Sequence, residues 1–541
     1  MFERFKKAVK GWMQTTGADL GVAKEFKDIF ELGGVPAFGE FYNLGILPWK
    51  YLYKGFYKPW HEIAAPTIAN PRAKRRMYYM NLSKAVCSEL AGMVWTDQTE
   101  VSVSVNGRDQ TDNTPDPLAA FVEEVLRQNA FQSKMLESIE QAAALGGEAL
   151  KVWRDTRRDS QGREIPGSER LKIGYCMADQ FVPTAWDNAE VTEGVFISRQ
   201  AKGGYYYTRL EWHRWDGLTY YVTNELYRAD KYRIGTTDQQ DILGFRVPLA
   251  EIYPFLDAET PVQGIEHSLF SYFRTPTANN LDDNCPLGVS IYANSMETLH
   301  ALDVCFDSFV REFRLGKKRI IVPARMIKTV IDPQTGEMRR FFDANDETYE
   351  ALSTDDPDSL KIQDNSVELR VEEHVAAINA FLNIFCLQIG LSSGTFSFDT
   401  SSGLKTATEV VSENSKTYKT VRNFQNMIRP AVERLIENII TLGALYDMQT
   451  PDGQSVAALA ARGYEISVGM DDGITQDRQT NINEGITLVG AGLMSKKTFL
   501  TAKKYGQCLT EEEADQELKR IANERTVTGN IIDRLNMDTA E

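Results

Sequence analysis

The sequence predicts an α+β fold divided into several domains. The chain has 541 residues, which is too many for one ordinary hydrophobic core. Strand-like patterns concentrate between residues 148 and 272, whereas long helical patterns follow residue 290. Runs of strands followed by runs of helices are typical of α+β proteins.

The composition is that of a folded protein with a strong negative charge. Apolar residues make up 42% of the chain, and its formal net charge is −16. Phosphate neutralisation provides most of the affinity of a free-standing DNA-binding protein, so this charge argues against tight DNA binding. It does not argue against a surface past which DNA slides.

No stretch of the sequence predicts a membrane span. No apolar run is long enough to cross a bilayer, and the basic N-terminal segment MFERFKKAVKGWM lacks the continuous apolar core of a secretory signal. This segment is amphipathic but has only one short basic face, so a docking helix is favoured over a helix lying on a membrane surface.

Residues 1–70 are rich in aromatic residues, glycine and proline, without a long periodic segment. They predict an N-terminal arm, extended or loosely folded. We expect its aromatic side chains to pack on the chain itself or on a neighbouring copy rather than on nucleic-acid bases. The basic run at residues 70–76 leads into a helical pattern, so its cations are interpreted as the solvated start of that helix.

The next part of the chain alternates helical and strand patterns. Helices are predicted at residues 77–95, 117–130 and 133–145, the last ending at Gly146 as a C-cap. VSVSV predicts a strand that ends in a turn at Asn106 and Gly107. Several strands separated by turn residues then predict an antiparallel meander up to residue 272. A further strand, YEISVGM, comes near residue 464.

Two helices enclose a compact β-rich insert after residue 290. The first is predicted to start at residue 290 and the second to cover 371–390, with apolar residues at helical spacing in both. The insert between them, from residue 316 to 369, contains strand patterns and an acidic loop.

A Gly/Ser-rich loop and a very long helix follow this pair of helices. The long helix is predicted over residues 406–445, with Thr406 and Glu409 as a capping box and Pro430 as the cause of a kink. Short helices are predicted after residue 470, one of them capped by Ser495.

No catalytic or metal-binding motif is present. The six cysteines and five histidines are dispersed, which predicts free thiols in a reducing compartment and no transition-metal site. Gly403-Leu404-Lys405-Thr406 resembles the end of a phosphate-binding loop, but Leu404 interrupts the motif. The acidic pairs Asp282-Asp283 and Asp471-Asp472 are better explained by turns than by a two-metal site.

Several stretches resemble portal proteins of tailed double-stranded DNA bacteriophages, in particular the long-tailed phages of Gram-positive hosts. The main ones are CPLGVSIYANSMETLHALDVCFDSFVREFRLGKKRIIVP and GLSSGTFSFDTSSGLKTATEVVSENSKTYKTVRNFQ. SKAVCSELAGMVW, ALGGEALKVW and VGMDDGITQDRQTNINEGITLVGAGLMSKKTF support them. The specificity lies in the order and spacing of these stretches rather than in any one motif.

The resemblance implies a phage portal fold whose regions follow one another along the chain. They are an N-terminal arm (1–70), an α+β wing (71–289 with 446–469), a two-helix stem (290–315 and 370–390), a small β-rich clip (316–369), a tunnel loop (391–405), a long kinked helix (406–445) and an α-helical crown (470–541). It also implies a dodecameric ring at one capsid vertex, through which DNA is packaged and ejected. ATP hydrolysis then belongs to the terminase large subunit.

The resemblance also implies roles for particular residues. The tunnel loop would present Ser392, Ser393, Gly394, Phe396, Ser397, Phe398, Asp399, Ser401, Ser402 and Lys405. Acids of the stem would repel DNA from the bore: Asp303, Asp307, Glu312, Glu372 and Glu373. The clip would dock terminase and later the head–tail adaptors through Arg325, Lys328, Arg339, Arg340, Asp355 and Asp356.

The resemblance also implies the major capsid and scaffolding proteins as partners, with assembly in the host cytoplasm. It implies no cofactor.

Phe396 and Phe398 have an alternative interpretation, in which both occupy a groove between subunits instead of contacting DNA. Two other functions stay open from the residues alone. One is a metal-dependent nuclease or phosphoryl-transfer enzyme that uses the acidic turns, and the other is a different ring-forming head or connector protein.

Overall fold

The computed structural model describes most of the chain. The described residues are 32, 38–66, 70–106, 116–159, 161, 163–188, 190–230, 243–315, 320–321, 328–331, 338–341, 363–364, 368–396, 415–470, 478–502, 505 and 513–521. In this part of the chain no helix combines the length and the apolar character needed to cross a bilayer. The five cysteines within it form no disulfide.

The described residues contain thirteen α-helices. They are α1 (Gly39–Phe41), α2 (Leu47–Tyr53), α3 (Lys58–His61), α4 (Leu82–Val94), α5 (Pro117–Gln128), α6 (Phe131–Leu145), α7 (Met296–Leu315), α8 (Val371–Ile389), α9 (Ser415–Leu445), α10 (Val456–Ala460), α11 (Arg478–Gly490), α12 (Lys496–Thr501) and α13 (513–521). A π-helical turn, Tyr42–Ile46, joins α1 to α2. Gly146 ends α6 with a φ of +99°, which confirms the predicted C-cap.

The strands form small antiparallel sheets. They are β1 (Glu62–Ala64), β2 (Lys74–Arg76), β3 (Glu100–Val105), β4 (Gly147–Asp155), β5 (Arg170–Met177), β6 (Phe181–Asp187), β7 (Glu190–Lys202), β8 (Tyr205–Asp216), β9 (Thr219–Asp230), β10 (Phe245–Val247), β11 (Glu259–Val262), β12 (Phe270–Arg274), β13 (Ile320–Ile321), β14 (Lys328–Ile331), β15 (Met338–Phe341), β16 (Gln363–Asp364) and β17 (Tyr464–Gly469). Helices and strands together confirm the predicted α+β class.

The predicted meander is confirmed for β6 to β9. These strands pair in chain order, with β10 and β11 both on β9. β4 and β5 are not part of it, because they pair with each other and with β12 in a separate three-stranded sheet. β3 pairs with β17, whose residues follow it by more than 350 positions, so the strand near residue 464 completes a sheet begun near residue 100.

A buried polar cluster joins the two larger sheets. Glu211 of β8 accepts hydrogen bonds from Lys151 Nζ of β4 at 2.7 Å and from His213 Nε2 at 3.0 Å. Arg209 donates to the same carboxylate. Burial alone would raise the pKa of Glu211, but the charge of Lys151, the hydrogen bond from His213 and the charge of Arg209 hold it well below its usual range. The cluster therefore keeps a charged carboxylate stable between the sheets.

The main core surrounds α6 and α9. α6 packs on α4 and β4 through fully buried residues such as Met135 and Ile139. In α9, Ile428, Leu435 and Ile439 are completely buried. Pro430 lies inside α9, where its ring removes one backbone donor, and the helix continues beyond it.

The prediction of an extended or loose arm is wrong for residues 38–61. These residues form α1 to α3 and belong to the main core, in which Tyr42, Ile46 and Trp49 are buried. The rings of Phe41 and Trp49 lie 5.9 Å apart, edge to face. The expectation that the aromatic side chains pack on the chain itself is confirmed for these residues. Their burial stabilises these short helices, although the sequence here shows no long helical periodicity.

The interpretation of the basic run at residues 70–76 is also wrong. α4 begins at Leu82, and Lys74–Arg76 form β2, which pairs with β1. The cations therefore lie on a β-hairpin instead of on the first turn of a helix. A helix N-terminus disfavours positive charge, which agrees with this placement.

The chain divides into two compact units. One contains Met1–Thr400 with Thr420–Met470, and the other contains Ser401–Lys419 with Asp471–Glu541. In the second unit, the rings of Phe499 and Tyr505 lie 5.3 Å apart. Ser495 caps α12 as predicted, since its Oγ accepts the Thr498 N–H at 3.0 Å.

Candidate functional site

The two predicted stem helices form an antiparallel pair. α8 packs on α7 and, near its C-terminal end, on the turn Ala293–Ser295 that precedes α7. At the opposite end, Arg370 Nη2 donates to Glu312 Oε2 at 2.9 Å, just before α8 begins. The His374 ring lies 5.3 Å from that of Phe309.

The first of these helices begins later than predicted. Residues 290–295 are not α-helical, and Ala293–Ser295 form a single 3-10 turn, because tertiary hydrogen bonds hold this segment. The Tyr292 hydroxyl donates to the Trp49 carbonyl at 2.9 Å, and the Ile291 N–H donates to the Ala143 carbonyl at 3.0 Å. These bonds attach the base of the helix pair to the main core.

Asp303 does not present its carboxylate to solvent, so the prediction that it lines the bore is wrong. Its side chain is buried, and it accepts hydrogen bonds from His61 Nε2 at 3.1 Å and from the Met80 N–H at 2.9 Å. His61 Nδ1 accepts the Tyr57 N–H at 2.8 Å. The imidazole proton therefore lies on Nε2, where it points to Asp303.

Asp307 is the second buried acid, and the predicted bore-lining role is wrong for it as well. Arg75 Nη1 donates to its Oδ1 at 2.7 Å, and the Tyr78 N–H donates to the same oxygen at 3.0 Å. Burial alone would raise the pKa of Asp307, but Arg75 and Tyr78 hold it below its usual range. Asp303 and Asp307 thus fasten residues 61–80 to α7.

Of the other three predicted stem acids, Glu312 is partly buried and the remaining two are exposed. Glu312 forms the bidentate pair with Arg370, which lowers the pKa of that carboxyl. Glu372 and Glu373 are exposed in the first turn of α8, where the helix dipole favours negative charge.

The start of the predicted tunnel loop is held in place. Gly390 ends α8 with a φ of +84°, and the Thr420 hydroxyl of α9 donates to its carbonyl at 2.6 Å. Ser392 is buried, whereas Ser393 and Gly394 are exposed. Phe396 is partly buried against the core of its own chain. Ser397, Phe398, Asp399, Ser401, Ser402, Lys405 and the Thr406–Glu409 capping box lie outside the described residues.

The predicted clip contains two short antiparallel strand pairs, β14 with β15 and β13 with β16. Thr329 pairs with Arg340 and Val330 with Arg339, so strands are confirmed at these positions of the insert. Lys328 lies at the start of β14. Arg325, Asp355 and Asp356 lie outside the described residues.

A row of exposed apolar residues follows α8 on the side opposite its buried face. The buried face contains Ile378, Leu382, Phe385 and Ile389. The exposed row comprises Ala377, Ala380, Ile384 and Leu387, with Ile384 46% and Leu387 62% exposed. Both rows repeat every three or four residues, so α8 is apolar on two faces, of which one is buried in the part of the chain that the structure describes.

The acidic turns were the candidate metal-binding positions in the sequence. The described residues contain no cluster of three or more His, Cys, Asp or Glu side chains suited to a metal ion. Asp282 has the turn role expected of it, since its Oδ1 accepts the Asn284 N–H at 3.1 Å. Asp471, Asp472 and the Gly403–Thr406 stretch lie outside the described residues.

Comparison with known families decides the class of protein. The family model described as phage portal protein, SPP1 Gp6-like, matches residues 46–528, most of the chain. The chain belongs to the phage portal protein family. None of the curated proteins searched matches it.

Membership of this family confirms the predicted fold class and the predicted role. The protein is a portal of the virion, a capsid-associated ring component that connects the capsid to DNA packaging and ejection. The family is structural. In this context the α7–α8 pair, the β insert between them and the loop after Gly390 form the candidate functional site.

Sequence reasoning missed the groups that fix this site. His61, Arg75 and Met80 hold α7 from the N-terminal side, and Thr420 holds the end of α8. The basic run was the only sequence signal near these contacts, and its charge alone does not indicate a partner more than 200 residues away.

Proposed function

We propose that this portal protein forms a dodecameric ring, through whose channel double-stranded DNA enters the capsid and later leaves it. The exposed apolar row of α8 is the observation that supports a ring. Burying a leucine or isoleucine side chain stabilises by about 1.5–3 kcal/mol, so a neighbouring copy that covers Ile384 and Leu387 contributes to assembly. The acidic chain favours DNA passage without sequence reading or retention.

The clip is the proposed docking site for the terminase large subunit during packaging and for head–tail adaptors afterwards. Lys328, Arg339 and Arg340 on its hairpin carry charge suited to such contacts. The major capsid and scaffolding proteins are the proposed partners during assembly in the host cytoplasm. We propose no catalytic step or cofactor for the portal itself. The ATP hydrolysis that drives DNA translocation is assigned to the terminase large subunit.

Residues 391–405 are the proposed tunnel loop. The attachment of Gly390 to α9 through Thr420 supports this role, because it fixes the point from which the loop leaves the stem. The position of Phe396 against its own chain favours a packing role for this ring over contact with DNA.

The ring is tested by placing charge in the apolar row. We expect Ile384→Glu combined with Leu387→Glu to prevent assembly, because carboxylates there would have to be desolvated between copies. Size-exclusion chromatography with light scattering and negative-stain imaging measure the outcome, and circular dichroism establishes that the variant is folded.

A matched control is available in the wing. Leu218 is 91% exposed in the turn between β8 and β9, so Leu218→Glu places the same charge on an exposed leucine away from the stem. This control should form rings like the unchanged protein. If the Ile384→Glu, Leu387→Glu variant forms rings as readily as the unchanged protein, the proposed packing is contradicted. If the unchanged protein itself forms no rings, the proposed function is contradicted.

A further inference from the structure

The stem has two flanks that lie on opposite sides of α7. On one side, Asp303 and Asp307 of α7 bind residues 61–80, including the β1–β2 hairpin. On the other side, Phe309 and Glu312 contact α8 and the residue before it. α7 therefore lies between the hairpin and α8, and each of these presents an outer surface.

The hairpin flank is cationic. Arg72, Lys74 and Arg76 are exposed, whereas Arg75 between them is used by Asp307. Lys74 pairs with Glu62 but keeps 60% of its side chain exposed. The guanidinium of Arg76 lies 4.6 Å from the centre of the Phe56 ring, which holds the charge at the surface. A cluster of this sign stands out on a chain with a net charge of −16.

The α8 flank is acidic at one end and apolar along the rest. Glu368, Glu372 and Glu373 are exposed around the start of the helix. Arg370, the cation among them, is engaged by Glu312. α8 itself contains no lysine or arginine. The exposed row from Ala377 to Leu387 follows towards the C-terminal end of the helix.

The two charged surfaces lie at the same end of the stem. The acidic end of α8 is adjacent to the end of α7, as the contact between Arg370 and Glu312 shows. On the other flank, Arg314 near the end of α7 donates to the Tyr78 hydroxyl at 2.7 Å, close to the end of β2. Both surfaces are therefore near the end of the stem from which the clip emerges.

We propose that the acidic end of α8 in one copy contacts the cationic β1–β2 hairpin of the next copy. This inference rests on the proposed ring and names the surfaces that form it. A cyclic assembly joins two different surfaces of each copy, and opposite flanks of opposite charge fit that requirement. The charges would fix the orientation of neighbours, while the apolar row supplies burial.

Charge reversal tests this contact. Glu372→Arg with Glu373→Arg, and separately Arg72→Glu with Arg76→Glu, should each raise the protein concentration needed for half-assembly by about tenfold. Combining all four substitutions should restore assembly, because the signs are again complementary. Raising the salt concentration should reduce the differences between variants, since exposed charges are screened. Mass photometry over a concentration series measures ring fraction.

Two controls separate this contact from other causes. Glu123→Arg reverses an exposed acid on α5, outside both flanks, and should assemble like the unchanged protein. Arg72→Glu alone leaves the stacking of Arg76 on Phe56 intact, so an effect on assembly at unchanged melting temperature is not a folding defect.

The outcomes are distinct. Loss of assembly in each reversal and its recovery in the combined variant would support the contact. Rings of every variant at wild-type concentrations would overturn it while leaving the proposed function standing. Failure of the combined variant to recover assembly would also overturn the contact. So would a charge reversal at the hairpin that weakens only binding to duplex DNA, because the hairpin would then face a different partner. Absence of rings from the unchanged protein would contradict the proposed function instead.

Discussion

Glu148 is a buried carboxyl group at the start of β4 that no proposed role uses. The Ser138 hydroxyl donates to its Oε1 at 2.8 Å, while Oε2 is buried without a hydrogen-bond partner among the described residues. Burial raises the pKa of Glu148 to about 8, and the nearby Asp179 and Glu137 add to the rise. At neutral pH the folded protein therefore holds this group largely protonated.

Glu148 should make the stability of the protein fall as pH rises. The folded protein keeps the proton that the unfolded chain releases from about pH 4.5 upwards, so stability decreases until the pH exceeds about 8. Each pKa unit corresponds to about 1.4 kcal/mol, which makes the change a few kcal/mol. Glu148→Gln retains an acceptor for Ser138 and should remove this decrease, as measured by urea unfolding at pH 5, 7 and 9.

Glu123→Gln is the matched control for that measurement, because Glu123 is exposed on α5. Its unfolding free energy should follow that of the unchanged protein across the same pH range. Equal pH dependence in Glu148→Gln and the unchanged protein would contradict the raised pKa.

The sequence predicted least about the contacts that single residues make. Asp303 and Asp307 occur at positions of α7 where helical spacing alone is consistent with a polar outer face. Their burial depends on the hairpin that Arg75 and His61 belong to, more than 220 residues earlier in the chain. Local patterns contain no information about such a contact, so the bore-lining prediction failed for these two acids.

The elements themselves were largely predictable. Alternation located β7, β8 and β9, and helical spacing located α5 to α8, because these patterns reflect one buried face per element. Which strands pair with one another was harder to predict from the sequence. Nothing in VSVSV indicates that its partner is β17, since both strands are short and the chain between them is long. The start of α7 was displaced for the same reason, as distant hydrogen bonds replaced the first helical turn.

The junction between α8 and α9 depends on a glycine. Gly390 has a φ of +84°, and an added Cβ would lie 2.7 Å from the Thr420 hydroxyl oxygen. A left-handed conformation costs an L-residue about 1–2 kcal/mol, and the close approach adds to this. Gly390→Ala should therefore lower the melting temperature, which differential scanning fluorimetry can measure.

Gly92→Ala is the control for the glycine at this junction. Gly92 is exposed within α4, and an added Cβ would meet no atom within 4 Å. Alanine is favoured over glycine in a helix by about 1 kcal/mol, so this substitution should raise the melting temperature. A neutral or stabilising effect of Gly390→Ala would show that the junction does not require glycine.

At the scale of the whole molecule, the sequence indicated function through the order of its parts. A pair of helices around a β insert, then a Gly/Ser-rich loop and a long helix, is a sequence of elements that local patterns can reveal. The surfaces proposed to join copies are different, because they combine residues from separate segments. The cationic hairpin and the acidic end of α8 become opposite flanks only when residues 61–80 pack on α7.

The proposed role of residues 391–405 as a tunnel loop can be tested without disturbing the stem. Deleting residues 397–402 keeps the buried Ser392 and the partly buried Phe396, so rings should still assemble. We expect packaging or retention of DNA to fall, because the shortened loop no longer reaches as far from its attachment at Gly390. Nuclease-protected DNA in assembled capsids measures this effect. Replacing the same six positions with glycine and serine preserves loop length and separates length from sequence. Unaltered packaging after the deletion would rule out a role of this loop in the channel.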